Sequence, residues 1–135
     1  MQIFDGFIAA IASEFNITFH KTEEGSYKTT IEFENDRSQE VLVMLSWDES
    51  DDRMIHYYSV IAQMKSDNGD LYKYALETNA TLDYGGLALM DGTLVLRNSI
   101  LLEECDPKRF LKSLIYIAAR ADELVELLVE KKSVE

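Results

Sequence analysis

The chain has 135 residues, 47% hydrophobic and 28% charged, with one proline and a formal net charge of -12. This length and composition exclude a disordered or linker-dominated chain and fit a single domain, residues 1–135, that buries about two thirds of its unfolded surface. The charge opposes binding to nucleic acid, whose phosphates are held by basic groups, and docking on anionic membranes.

Cys105 is the only cysteine, so no intramolecular disulfide can form, and its acidic neighbours Glu103, Glu104 and Asp106 disfavour a reactive thiolate. The first fifteen residues have no basic leader and carry Asp5 among apolar residues on helical spacing. They read as neither a signal peptide nor a membrane span, and a cytoplasmic protein is expected.

Ile3, Phe4, Phe7, Ile8, Ile11 and Phe15 recur three and four apart, predicting a first helix with one apolar face. Asn16 tolerates the left-handed conformation that ends helices. Residues 17–25 stay ambiguous, because Ile17 and Phe19 alternate but Glu23, Glu24 and Gly25 interrupt the pattern. Over 27–34, Tyr27, Thr29, Ile31 and Phe33 alternate with Lys28, Thr30, Glu32 and Glu34, which predicts a strand with one wet face. The consecutive apolar run from Val41 to Leu45 predicts a central strand covered on both faces. A polar loop over 48–53 leads to a third strand over 54–65, completing a meander.

Residues 66–69 carry turn chemistry, and Asp70 can cap a second helix with Leu71, Tyr74, Ala75 and Thr78 on one face. Gly85 and Gly86 open a hairpin whose Asp91-Gly92 pair fits a two-residue turn with positive φ at both positions. That turn sets Met90 opposite Thr93, Leu89 opposite Leu94 and Leu87 opposite Leu96, so four leucines share one face. Asp106 and Pro107 mark the last helix, carboxylate cap before preset φ. Its stripe is Phe110, Leu114, Ile117, Ala118, Ala121, Leu124, Val125 and Leu128, and Lys131 and Lys132 suit the negative end of the helix dipole. The order α-β-β-β-α-β-β-α describes an α+β fold, helices against an antiparallel sheet.

Residue patterns offer little for catalysis. His20 and His56 fall in separate elements without Cys or His neighbours, so no metal site is expected. The acidic loop over 48–52 lacks the glycine and terminal glutamate of a calcium loop. The glycines do not follow a phosphate-binding spacing, and Ser46 stands in no nucleophile motif and has no nearby base. No enzyme, cofactor or metal is expected. Tyr57, Tyr58, Tyr72, Tyr74 and Tyr84 crowd the middle third, and tyrosine serves packing and interfaces alike.

The segment from Asn79 to Leu128 joins an Asn near a helix end, a Gly-Leu-x-Leu strand, a DG turn, Leu-x-Leu-Arg, and a helix with Ala121-Asp122 near its end. It resembles the second half of the type III secretion chaperone-like superfamily, which includes CesT-type chaperones and YbjN-like proteins. The resemblance implies a non-catalytic homodimer that holds a segment of a client polypeptide on apolar patches and sheet edges. A YbjN-like regulatory dimer without a secreted client, or a small-ligand-binding protein, are the alternatives. The strand over 27–34 is the candidate docking surface, and Tyr27, Ile31, Phe33, Tyr57, Tyr72 and Tyr74 are the candidate partner-binding residues.

Overall fold

A computed structural model describes residues 2–64 and 69–134, the last six as backbone alone. Of the turn expected at 66–69, residues 66–68 lie outside the described residues, as do the side chains of Lys131 and Lys132, and Gly69 is the first residue of the second helix. Helix α1 (Gln2–Phe15) is followed by β1 (His20–Glu23), β2 (Ser26–Glu32), β3 (Ser38–Trp47) and β4 (Arg53–Gln63). Helix α2 (Gly69–Asn79), the hairpin β5 (Gly86–Met90) and β6 (Thr93–Leu101), a 3-10 turn (Leu102–Glu104) and α3 (Pro107–Val134) complete the chain. All strands pair antiparallel in one sheet, in the order β1-β2-β3-β4-β6-β5.

The α+β architecture agrees with the sequence pattern and adds one strand to it. Residues 20–23 are all exposed, so no apolar alternation announces β1. It forms because Gly25, at φ 77°, folds it back onto β2. Asn16 does end α1, at φ 54°, and Asp91 and Gly92 adopt φ 50° and 79° at the hairpin turn. The hairpin register is the expected one, with Leu87 opposite Leu96 and Leu89 opposite Leu94.

Helices α1 and α3 form a layer over one face of the sheet. Phe4, Ile8 and Ile11 of α1 and Phe110, Leu114, Ile117, Ala118 and Ala121 of α3 are buried against Val41, Val43, Ile55, Tyr57 and Leu96. Phe110 stacks edge-on against Tyr57 at 5.0 Å and Phe7 at 5.5 Å. Asp106 accepts from the Lys108 amide at 3.4 Å and, through its carbonyl, from the Phe110 amide at 2.9 Å, so the cap stands where expected. Arg37, in the turn after β2, grips the buried Asp122 of α3, with Nε 3.0 and 3.1 Å from the two carboxylate oxygens. Such a charge-assisted fork ties the helix to the meander.

Two apolar residues and one apolar run depart from the pattern. Ile3, at the frayed edge of the α1 stripe, is 60% exposed, and Leu89, at the tip of the edge strand β5, is 47% exposed. The run from Val41 to Leu45 is not covered on both faces. Val41 and Val43 are buried under the helices, whereas Leu42 and Met44 are half-buried on the outer face opposite Tyr58 and His56. Cross-strand neighbours, not a second layer of helices, provide their partial cover.

Gly85, at φ 73°, lies so close to β6 that an added Cβ would sit 2.4 Å from the Arg97 carbonyl oxygen and 2.8 Å from Ile117. Gly92, at φ 79°, has open space, its nearest neighbour being the Met64 carbonyl at 3.9 Å. Gly92→Ala is therefore expected to lower stability by about 1–2 kcal/mol from the left-handed backbone alone. Gly85→Ala adds a backbone clash and should lower it by about 3 kcal/mol or more. Urea denaturation of both variants checks the order, and equal losses would contradict it.

Candidate functional site

Among the described residues, two places combine open surface with a strand edge that a shorter neighbour leaves uncovered. The first lies where β1 stops short. β1 pairs with β2 only from Ser26 to Lys28, and the edge of β2 beyond it meets the loop after α1. There Thr29, buried, donates through Oγ1 to the Thr18 carbonyl at 2.8 Å. Next to this bond a groove of about 540 Å³ opens between Ile17, Thr30, Ile31 and Glu32 on one side and Leu111 and Ile115 of α3 on the other. Ile115 is 42% exposed, so the groove has an apolar wall facing water.

The expected docking residues fall in four places. Ile31 lines this groove, and Phe33, half-buried, packs on the core just beyond it. Tyr27 points under the sheet, edge-on to Phe4, and donates its hydroxyl to Asp5 at 2.5 Å. That bond, with Lys21 nearby, holds the Asp5 carboxyl below its usual range, while burial raises the Tyr27 phenol. Tyr57 is fully buried and offers no surface. Tyr72 and Tyr74 lie half-buried on α2 beside β5, at the far side of the sheet from β2. Sequence spacing did not single out Ile17, Leu111 and Ile115, although the alternation of Ile17 and Phe19 was the one hint of a surface there.

The second place is the outer face at β4, β6 and β5. Register brings His56 opposite Ser99 and Tyr58 opposite Arg97. Nη2 of Arg97 stands 3.0 Å from His56 Nδ1 and 3.0 Å from Ser99 Oγ, and that oxygen is 2.6 Å from Nδ1. A guanidinium only donates, so Nδ1 is the acceptor and the imidazole is neutral, with its proton on Nε2. Burial first, and the Arg97 charge second, hold the His56 pKa below the ordinary histidine value. The Ser99 hydroxyl, 2.6 Å away, donates to that nitrogen, but the adjacent Arg97 charge disfavours the imidazolium that taking the Ser99 proton would form. The trio is an oriented cationic cluster more than an activated nucleophile.

Among the described residues no three His, Cys, Asp or Glu side chains converge as metal ligands, and no helix is long and apolar enough to cross a membrane. Burial and Asp106 push the Cys105 thiol up to about 11, which keeps it protonated at neutral pH.

No protein-family model and no curated protein matches the chain. Among solved structures it is similar to a chain of the HopA1–SchA chaperone–effector complex, with TM-score 0.62 and 11% identity over 92% of this chain and 94% of the other. It is also similar to a chain of the ExsC–ExsE complex, with TM-score 0.65 and 12% identity over 93% and 92%. Likeness at that identity is one of fold, and the chain has the type III secretion chaperone-like α+β fold that its 79–128 segment resembles.

Because folding lowers the His56 pKa, the unfolded chain takes the proton first as pH falls. The His56 contribution to stability is thus intact above the ordinary histidine value and is lost as pH falls from there through the lower folded-state value. In Arg97→Gln the second cause is removed, and the His56 titration followed by imidazole NMR is expected to move upward. A downward or null shift would contradict the assigned network.

Proposed function

We propose that the chain is a non-catalytic, chaperone-like homodimer that holds an extended segment of a client polypeptide. The observation that carries this reading is the groove of about 540 Å³ beside the uncovered edge of β2, on a fold shared with chains of two protein–protein complexes. An extended segment entering there can pair its backbone with residues 30–32 while its side chains rest on Ile31, Leu111 and Ile115. Of the candidate partner-binding residues, Ile31 and Phe33 suit this role directly. Tyr27 supports it from beneath, through Asp5 and Phe4.

Dimerisation draws on a different surface. Leu76 of α2 is 72% exposed, and Val60 of β4 and Leu89 and Met90 of the hairpin are also exposed. A second copy would take this apolar area out of water, and Tyr72 on α2 would lie within its reach.

Two measurements test the proposal. Affinity capture from the native host is expected to recover a stoichiometric polypeptide with the wild-type chain and at least tenfold less with Ile115→Asp, an exposed position whose change should leave folding within about 1 kcal/mol. Recovery of no polypeptide, or equal recovery by both proteins, would count against the groove. Light scattering should give twice the single-chain mass at micromolar concentration, shifting toward one chain in Leu76→Asp. A single-chain mass for the wild type would refute the dimer.

A further inference from the structure

On the far side of the sheet the strand edges are mismatched a second time. β5 begins at Gly86, opposite Arg97, whereas β4 stays paired with the other edge of β6 as far as Leu101. No described strand pairs with β6 on the β5 side from Asn98 onward. A cleft of about 420 Å³ opens at this step, lined by Gly85, Gly86, Ala88, Arg97, Asn98 and Ser99. Gly85 helps to keep it open, since it packs its bare Cα against the Arg97 carbonyl.

Arg97 lies half-buried at the step, with no carboxylate in ion-pair reach among the described residues. Arg37, Arg53 and Arg120 are each paired, with Asp122, Glu103 and Glu123. Among the described residues only Nη2 of Arg97 is engaged, by His56 and Ser99, which leaves Nε and Nη1 with protons for another acceptor. In a chain of net charge -12, a half-buried guanidinium left without a carboxylate and held in place by two neutral groups is a directed charge.

We propose that this step is a second peptide-binding site, which takes an extended segment beside residues 98–101 of β6 and reads one acidic side chain of that segment with Arg97. The geometry joins two demands. A strand added at Ser99 offers its backbone to the unpaired edge, and the side chain it places on the outer face opposite Ser99 is a diagonal neighbour of Arg97, within reach of so long a residue. A carboxylate there meets the free face of the guanidinium. An amide of the same shape gains only a neutral contact. The proposal goes beyond client binding at the β2 groove and rests on that reading only in taking extended polypeptide as ligand.

The probe is the acetylated and amidated pentapeptide Thr-Val-Glu-Val-Thr, with its Gln counterpart and sodium acetate as controls, titrated into the isotope-labelled full chain. Saturable shifts are expected at the Gly86 and Ser99 amides. The Glu peptide should bind at least fivefold more tightly than the Gln peptide, a preference that disappears in Arg97→Gln. Acetate should leave those two amides unmoved. Where Arg97→Gln does not fold, Arg97→Lys, which keeps the charge without the fork, is expected to weaken the Glu peptide at least threefold. The proposal is overturned by equal affinity for both peptides, by shifts from acetate that match the peptide's, or by no saturable shift at Gly86 and Ser99. Ile115→Asp should bind the pentapeptide as the wild type does, so failure at the β2 groove and failure at the β6 step are read separately.

Discussion

The structure depends on one buried phenol. Tyr57 is fully enclosed, and a hydroxyl left unpaired in such a core would cost about 1–3 kcal/mol. It is satisfied by a directed chain: Asn98 Nδ2 donates to the Tyr57 hydroxyl at 2.7 Å, that hydroxyl donates to Ser113 Oγ at 2.5 Å, and Ser113 donates to the Phe110 carbonyl at 2.9 Å. Its four residues come from three elements, Tyr57 from β4, Asn98 from β6, and Ser113 and Phe110 from α3. Sliding α3 by one turn, or β6 by two residues, would break the chain and lift Phe110 from the Tyr57 ring. Burial raises the Tyr57 pKa, so the phenol stays protonated and able to donate.

That constraint settles which face of the sheet is the core and leaves the other partly open. With α1 and α3 committed to the Tyr57 side, residues pointing outward from β3, β4 and β6 shield one another, and His56, Ser99 and Arg97 can meet there. Strands of unequal length then produce open edge twice. β1 covers only part of β2, and β5 only part of β6, at opposite sides of the sheet. Exposed edges invite pairing with other chains, and here both are kept short: β1 is a polar four-residue strand and β5 a five-residue one. The uncovered stretches of β2 and β6 are a few residues each, enough to receive a segment and too little to template an extended sheet.

The sequence displayed the parts of this fold that are local. The Asp91-Gly92 turn fixed the hairpin register, Asp106-Pro107 fixed the start of α3, and the spacing from Phe110 onward fixed its buried stripe. Each depends on residues within a turn or two of one another. What stayed hidden is set by distance in the chain. β1 carries no alternation, because all four of its residues face water. The clustering of tyrosines in the middle third could not say which of them the helices seal over, so Tyr57, a core residue, looked like an interface tyrosine. His56 and Arg97 are 41 residues apart, and only the pairing of β4 with β6 joins them.

Charge places one further condition on how such sites could select a ligand. At a net charge of -12 the chain repels acidic polypeptides at long range, an effect screened beyond about 8 Å at physiological salt. Arg97 acts inside that distance, at hydrogen-bond contact, with its orientation set by His56 and Ser99. Long-range attraction therefore favours segments that are basic on the whole, while the β6 step would favour a carboxylate at one position. The two preferences are compatible in a segment of mixed charge, where the overall sign governs encounter and the single acid governs register. Uniformly acidic chains would meet the repulsion without gaining a second contact. Uniformly basic ones would approach readily but leave the guanidinium facing a like charge. Selectivity would then reside in the placement of one acidic residue, the kind of discrimination a rigid strand edge beside a fixed charge can make.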